Sequence, residues 1–302
     1  MAISLEQLPT AFSPRDSTSD LRLLYPLFED AQRARVAHGE RIRAFLQGRS
    51  FGGEGDSGRD VEHTLKEIAQ GRAAGVPDIL ERAYTRAVDD ENYLGNELRD
   101  AVEQHPAWRW LKSIKGVGHL LAARLLSRLD VTRAATPSAF WAYCGLATIP
   151  GIAYRCAKCG LETAYPVGYQ SRGSHFSRRG TRECGGTLEQ VIDAHSVRVA
   201  PRRGALGGRG SYDAHARKSC YLISVSFLRC ASDYRAFYDL ERERLAATRG
   251  GWTPKRSHLA ALRKMQKTFL KDLWLAWRRV EDLPIVPPYY PRVESASPNV
   301  PC

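Results

Sequence analysis

The sequence predicts a mainly α-helical protein, in which a helical hairpin or coiled-coil arm precedes a helix-hairpin-helix domain with a small inserted module. Three observations lead to this prediction. Apolar residues recur at helical spacing near both ends of the chain, and a Gly-x-Gly turn separates short helical segments near its middle. Between positions 149 and 200 the helical periodicity is lost, and Gly, Arg, Ser and Cys become frequent.

The composition is that of a globular protein. The chain has 302 residues, of which 43% are hydrophobic and 26% charged, which is enough for two or three domains with a buried core. No run approaches the roughly 18 apolar residues of a membrane span, and the first ten residues lack the pattern of a secretory signal. Seven cysteines, an odd number, argue against a disulfide framework. These features predict a cytoplasmic protein.

Residues 1–19 contain Pro, Ser and Thr without periodicity and are predicted to form a flexible leader. In the arm, residues 20–107, apolar spacing predicts a helix from about Ser19 to Gln47, a shorter one from Asp60 to Gly71 and a long one after Pro77, ending near Gln104. Long helices around a short insert are typical of a helical hairpin or an antiparallel coiled coil, and an ordinary bundle layer is the alternative. A homodimer through these helices is a hypothesis.

Residues 108–148 are predicted to form a helix-hairpin-helix element, because the turn Ile114–Gly118 separates two helical segments. Its two glycines permit a sharp bend and a close approach to a partner. The following helix offers free N–H groups and a positive dipole end, which suit a phosphate oxygen. The alternative is a turn that only packs helices. The candidate nucleic-acid contacts are Lys115, Gly116, Val117, Gly118 and His119.

Residues 149–200 are predicted to form a zinc-ribbon-like insertion. Cys156-Ala-Lys-Cys159-Gly is a thiolate knuckle, and Cys184-Gly-Gly is similar to the end of a second knuckle whose first position is Thr181. The predicted ligands of a structural Zn²⁺ are Cys156, Cys159, Cys184 and His175, with His195 as the alternative fourth ligand. Three free cysteines are the other interpretation, but so polar a segment could scarcely fold without a metal.

Residues 201–281 are predicted to be a basic helical region that completes the C-terminal domain. Residues 201–280 hold 18 basic and 6 acidic side chains, whereas residues 1–110 hold 14 and 19. A Gly- and Arg-rich linker, 201–210, leads into a predicted helix from Tyr212 to Ala247 and another from Pro254 to Val280. Such a charge excess favours a polyanionic partner. The candidate contacts are Arg202, Arg203, Arg209, Arg217 and Lys218. A Pro-rich tail, 282–302, is predicted to be extended or disordered.

Several motifs together resemble the C-terminal domain of the IS110/IS116 insertion-sequence transposases. They are the Ile-x-Gly-Val-Gly turn at Ile114, the Ala-Ala-x-Leu-Leu helix at Ala122, the Pro-Ser-x-x-Phe-x-x-Tyr-x-Gly-Leu segment at Pro137, and Arg-Gly-Ser-Tyr at Arg209. This family consists of bacterial recombinases with a RuvC-like acidic domain, a coiled coil and a C-terminal domain that supplies a serine. The resemblance implies DNA as a partner, and the family's guide-RNA binding leaves RNA as an alternative.

Two features of the family are missing from their expected positions. Residues 1–110 are predicted to be helical and to begin at the family's coiled coil, and no serine closely follows Gly145-Leu146. Ser211, on the Gly-rich loop, is the candidate nucleophile, with an alternative role as N-cap of the next helix. The sequence therefore predicts a nucleoid-associated DNA-binding protein of transposase ancestry. The alternatives are a serine-dependent recombinase completed by a partner subunit and a protein-binding adaptor without enzymatic activity.

Overall fold

The computed structural model describes residues 16–48, 61–72, 75–167, 184–191, 197–201, 212–250 and 252–286. Within these ranges the protein has nine α-helices and one small sheet, which confirms the mainly α prediction. The described residues divide into two compact units. Unit 1 contains Met1–Trp108 and Gly118–Ser127, and unit 2 contains Arg109–Val117 and Arg128–Cys302. None of the described helices has the length and apolar composition needed to cross a bilayer.

Four of the helices begin and end within about three residues of the predicted positions, as helical periodicity allows. In chain order the helices are α1 (Asp16–Leu46), α2 (Val61–Ala69), α3 (Asp78–Gln104), α4 (Trp108–Lys112), α5 (His119–Leu126), α6 (Pro137–Tyr143), α7 (Ala214–Cys230), α8 (Asp233–Thr248) and α9 (Pro254–Val280). These four are α1, α2, α3 and α9. The first part of the leader, the Gly-rich segment 49–60 and the tail from residue 287 lie outside the described residues.

In unit 1, α1 and α3 run antiparallel. The Tyr84 ring lies beside Gly39, and an ion pair joins Arg35 to Glu91. Thr18, at the start of α1, contacts His105, which follows the end of α3. Residue numbers therefore increase along α1 while those of its contacts on α3 decrease. α2 closes one end of this pair through an apolar cluster. The buried members of that cluster are Ile42, Leu46, Ile68, Val76 and Tyr84. Buried apolar contacts therefore hold these three helices together.

Unit 2 is built around α9. Trp274 and Trp277 of this helix are buried, and its Phe269 packs edge-on against Phe227 of α7 and Tyr234 of α8, with ring centroids 5.2 and 5.6 Å away. Phe227 and Tyr234 also stack on each other at 4.8 Å. α9 thus supplies the surface against which α6, α7 and α8 bury their apolar side chains.

The single helix expected from Tyr212 to Ala247 is wrong, because the structure has two helices, α7 and α8. Ala231 adopts a left-handed conformation with φ 49°, and the Ser232 N–H donates to the Phe227 carbonyl at 3.2 Å. In a continuous helix Phe227 and Tyr234 would be separated by about 10 Å along the axis. The break instead folds the chain back so that both rings reach the core of unit 2.

In the sheet of unit 2, one strand pairs with each of the other three. The strands are β1 (Ile149–Cys156), β2 (Glu162–Pro166), β3 (Leu188–Gln190) and β4 (Arg198–Val199). β1 pairs antiparallel with β2 in the register Ala153–Ala164, with β3 through Cys156–Leu188, and with β4 through Ile149–Val199. The segment that lacks helical periodicity therefore folds as a small sheet, and its cysteine knuckle lies where β1 ends.

A buried histidine should make unit 1 sensitive to acid. The Ala107 N–H donates to Nδ1 of His105 at 3.2 Å, so the neutral ring carries its proton on Nε2, which faces Thr18 Oγ1 at 3.1 Å. Burial lowers the pKa of His105 from 6.5 to about 4. Below pH 6.5 the unfolded chain takes up a proton that the folded chain takes up only near pH 4. Stability is therefore complete above pH 6.5 and falls as the pH drops to 4.

We expect the wild-type protein to lose about 3 kcal/mol more than His105→Gln between pH 7 and pH 4, in urea unfolding followed by circular dichroism. Glutamine can replace both hydrogen bonds but does not titrate. His63→Gln changes an exposed histidine and should keep the wild-type pH profile. Parallel curves for the wild type and His105→Gln would contradict this prediction.

Candidate metal centre and nucleic-acid interface

The first two cysteines lie on a tight knuckle at the end of β1. The Cys156 N–H donates to the Leu161 carbonyl at 3.0 Å, and the Gly160 N–H donates to the Cys156 carbonyl at 2.9 Å. Gly160 has φ 64°, a left-handed conformation that glycine adopts at little cost. The chain therefore reverses between Cys156 and Leu161, which aims the thiols of Cys156 and Cys159 to the same side.

A third cysteine completes a thiol cluster. The Sγ atoms of Cys156, Cys159 and Cys184 all lie within 4.8 Å of one another, and those of Cys156 and Cys184 are 3.8 Å apart. Two thiolates on one tetrahedral zinc, each bound at about 2.3 Å, would be about 3.8 Å apart. These three residues are thus close enough to bind one metal ion. His175 and His195, the two candidate fourth ligands, lie outside the described residues.

The backbone at Gly186 packs closely against the thiol cluster. A Cβ on Gly186 would lie 2.7 Å from the Cys156 Sγ and 2.6 Å from the Lys158 Cβ, so only glycine fits there. Burial opposes ionisation of Cys156, but backbone N–H donors of Cys159 and Lys158 lower the pKa of its thiol. Burial raises the pKa of the Cys184 thiol. The knuckle thus already favours one thiolate among neighbouring thiols.

The two glycines of the predicted hairpin have different roles. Gly116 has φ 97°, and its carbonyl accepts a hydrogen bond from Ser226 Oγ at 2.6 Å. A Cβ added to Gly116 would lie 3.1 Å from the same Ser226 Oγ. Gly116 therefore packs against α7 inside unit 2. Gly118 is exposed, holds the N-cap position of α5 and has open space where a Cβ would extend. Only Gly118 is free to meet a partner.

The other candidates of the turn also differ in access. Lys115 is exposed, whereas Val117 is 7% exposed, so its side chain cannot contact nucleic acid. The His119 ring lies 4.5 Å from the Trp108 ring, and its Nε2 is 2.9 Å from a carboxylate oxygen of Glu103. The side chain of His119 is thus already engaged within unit 1. The first-turn N–H groups of α5 are donors that the helix itself does not use.

The remaining candidates belong to the Arg-rich loop and to the start of α7. Arg202, Arg203, Arg209 and Ser211 lie outside the described residues. α7 begins at Ala214, and its N-cap is Asp213, whose carboxylate accepts from the Ala216 N–H at 2.6 Å. The alternative role of Ser211 as the N-cap of this helix is therefore wrong. Lys218 is exposed, and the partly buried Arg217 stacks on the Tyr212 ring at 4.9 Å.

The structure adds two cations that sequence reasoning did not nominate as individual contacts. Arg263 and Lys267 lie one turn apart on α9, and the Lys267 ammonium is 5.1 Å from the centroid of the Trp141 ring. Burial and, after it, the charge of Arg217 on α7 lower the pKa of the Arg263 guanidinium. The i, i+4 spacing of Arg263 and Lys267 was visible in the sequence. Their proximity to Arg217 was not, since it depends on the packing of α7 on α9.

Part of the chain matches a known protein family. Residues 109–152 match the model of the family described as "Transposase IS116/IS110/IS902 family". The resemblance inferred from the motifs between Ile114 and Leu146 is confirmed over this segment. The match includes the Gly116–Gly118 turn, α5, α6 and the beginning of β1. No curated protein matches the chain.

Substitution of the two glycines should separate their roles. We expect Gly116→Ala to lower the free energy of unfolding by about 1–2 kcal/mol, because alanine disfavours the left-handed φ and its Cβ would crowd Ser226. Gly118→Asn should change it by less than about 0.5 kcal/mol, because asparagine is an accepted N-cap residue. Guanidinium unfolding followed by tryptophan fluorescence measures both. Equal losses in the two variants would show that Gly118 is also packed.

Proposed function

We propose that this chain is a DNA-binding protein of transposase ancestry, which acts in DNA transposition or recombination by holding the phosphate backbone. The observation that carries the proposal is the transposase-family match over residues 109–152, which covers the turn and the helix suited to a phosphate. The strongly basic composition of residues 201–280 supports it. Contacts to phosphate alone position a protein on DNA without reading its sequence.

The start of α5 is the first proposed contact. Gly118 is exposed and leaves the first N–H groups of the helix open to solvent-borne ligands. The positive end of the helix dipole lies at the same place, and both features favour a phosphate oxygen. Because His119 is engaged with Glu103, the contact would come from the backbone N–H groups at the start of α5.

The metal centre is proposed to be a structural Zn²⁺ site. Three thiolates with about tetrahedral spacing are soft ligands of the kind zinc prefers, and the fourth ligand would be His175 or His195. Zinc bound by four protein ligands has no open position for a substrate, so it would supply stability and no reaction chemistry. It would link the knuckle to the segment before β3, since Cys184 precedes that strand.

The metal proposal predicts about one zinc ion per purified chain. Cys156→Ser, Cys159→Ser and Cys184→Ser should each abolish stoichiometric zinc, measured by inductively coupled plasma mass spectrometry after gel filtration, because each removes one of four ligands. Cys230→Ser, which changes a cysteine outside the cluster, is the control and should keep the metal. Of His175→Asn and His195→Asn, only the variant of the fourth ligand should lose it.

A zinc-free wild-type chain, or a stoichiometric metal that survives all three cysteine substitutions, would contradict the site. Iron or another metal bound to the same thiols would keep the site and reject its assignment to zinc.

The DNA proposal is tested by one pair of variants that differ only in charge. Gly118→Asp and Gly118→Asn place nearly isosteric N-cap residues at the start of α5. We expect Gly118→Asp to bind duplex DNA about 10-fold more weakly than Gly118→Asn in fluorescence anisotropy at 50 mM salt, because its carboxylate repels the phosphate. Binding by the wild type should fall steeply between 50 and 200 mM salt.

Equal affinities of the two Gly118 variants would show that α5 does not touch the DNA. A wild-type affinity that is insensitive to salt would contradict backbone binding as a whole. The same titration with duplex RNA compares the two nucleic acids directly.

A further inference from the structure

We propose that Arg217, Arg263 and Lys267 form a binding site for one phosphate group of a nucleic acid within unit 2. This inference rests on the proposed function, because it names the part of the DNA that unit 2 would hold. It adds two residues of α9 to the candidate contacts, and it describes a built site in place of a general basic surface.

The three side chains come from neighbouring turns of two packed helices. Arg217 lies in the first turn of α7, and Arg263 and Lys267 lie one turn apart on α9. The amide of Gln266 donates to the Cys220 carbonyl of α7 at 3.5 Å, so the two helices are in contact beside the cluster. The fold therefore fixes the spacing of the three cations.

Aromatic rings hold two of the cations in place. The guanidinium carbon of Arg217 lies 4.9 Å from the Tyr212 centroid, and its Nη1 donates to the Pro201 carbonyl at 3.3 Å. The Lys267 ammonium lies 5.1 Å from the Trp141 centroid, and the Trp141 indole N–H donates to the Lys267 carbonyl at 2.9 Å. Cation–π contacts orient these groups and leave their positive charge uncompensated.

The cluster has no carboxylate partner in the part of the chain that the structure describes. There, Arg263 has neither a hydrogen bond nor an ion pair. The nearby carboxylates are used elsewhere. Asp213 caps α7, and Glu241 pairs with Arg244 at 2.5 Å and with Lys264 at 2.7 Å. Three partly buried cations thus share one place without an internal anion.

This arrangement is unfavourable in the absence of a ligand. Burial, and then the charge of Arg217, lowers the pKa of Arg263. Burial, and then the charges of Arg263 and Lys264, lowers the pKa of Lys267. An ordinary solvated basic face would keep its cations in water, where such repulsion is screened. A phosphate group, with a negative charge and several acceptor oxygens, would compensate both the repulsion and the lost hydration.

The first experiment uses inorganic phosphate as the probe and the thermal unfolding of the full-length protein as the readout. We expect phosphate to raise the melting temperature of the wild type by about 2 °C or more over an equal concentration of chloride. Arg263→Gln should melt higher than the wild type without phosphate, because it removes a repelled charge, and should show no phosphate shift. Lys255→Gln removes an exposed cation of the same helix and should behave as the wild type.

An equal phosphate shift in all three proteins would overturn the site, since it would reflect a general effect of the anion. A lower melting temperature of Arg263→Gln with an unchanged phosphate shift would also overturn it, because Arg263 would then be structural.

The second experiment separates this inference from the proposed function. Arg263→Gln should reduce by about one the slope of log affinity against log salt for duplex DNA, the change expected for one lost phosphate contact, and Lys255→Gln should not. Steep, salt-dependent DNA binding that is unchanged in Arg263→Gln would reject the site and leave the proposed function standing. Specific phosphate stabilisation without any DNA binding would support a site for free phosphate and reject the proposed function.

Discussion

The hydrogen bonds that α9 gives to the loop before α6 determine much of unit 2. Trp274 donates to the Ala134 carbonyl at 2.7 Å, and the buried guanidinium of Arg278 donates to the carbonyls of Val131 and Ala134, both at 3.0 Å. Buried carbonyl groups without such donors would be strongly destabilising. Because these donors fix the loop on α9, α6 packs along the same helix. Trp141 of α6 is thereby placed over Lys267, so the core of the unit also positions its charged surface.

The sequence was most informative where one physical requirement dominated. The apolar period of α1, α3 and α9 marked those helices, because burial of one face requires it. The spacing of Cys156, Cys159 and Gly160 indicated a thiol knuckle, since a tight turn needs a residue that tolerates a positive φ. The break at Ala231 was missed because no proline or glycine marks it. It depends on the stacking of Phe227 on Tyr234, a tertiary contact that local patterns do not contain.

The Gly-x-Gly turn shows how far a motif can be interpreted. Both glycines fit the pattern of a phosphate-binding hairpin, and the pattern treats them as equivalent. In the structure a positive φ and the hydroxyl of Ser226 account for Gly116, whereas Gly118 is open at the start of α5. Gly116 is thus required for packing, and Gly118 leaves the start of α5 open to a partner. Sequence alone could not divide these roles, because Ser226 is more than a hundred residues away along the chain.

The arginines of unit 2 are held in two ways, and the second of them favours the binding of a polyanion. Some pair with carboxylates, as Arg155 does with Glu162 and Arg244 with Glu241. Others lie against aromatic rings, as do Arg217 on Tyr212 and Arg256 on Trp252. A carboxylate neutralises its partner, whereas a ring only orients it. Cations arranged in the second way keep their attraction for a phosphate, and the net charge of residues 201–280 is consistent with that arrangement.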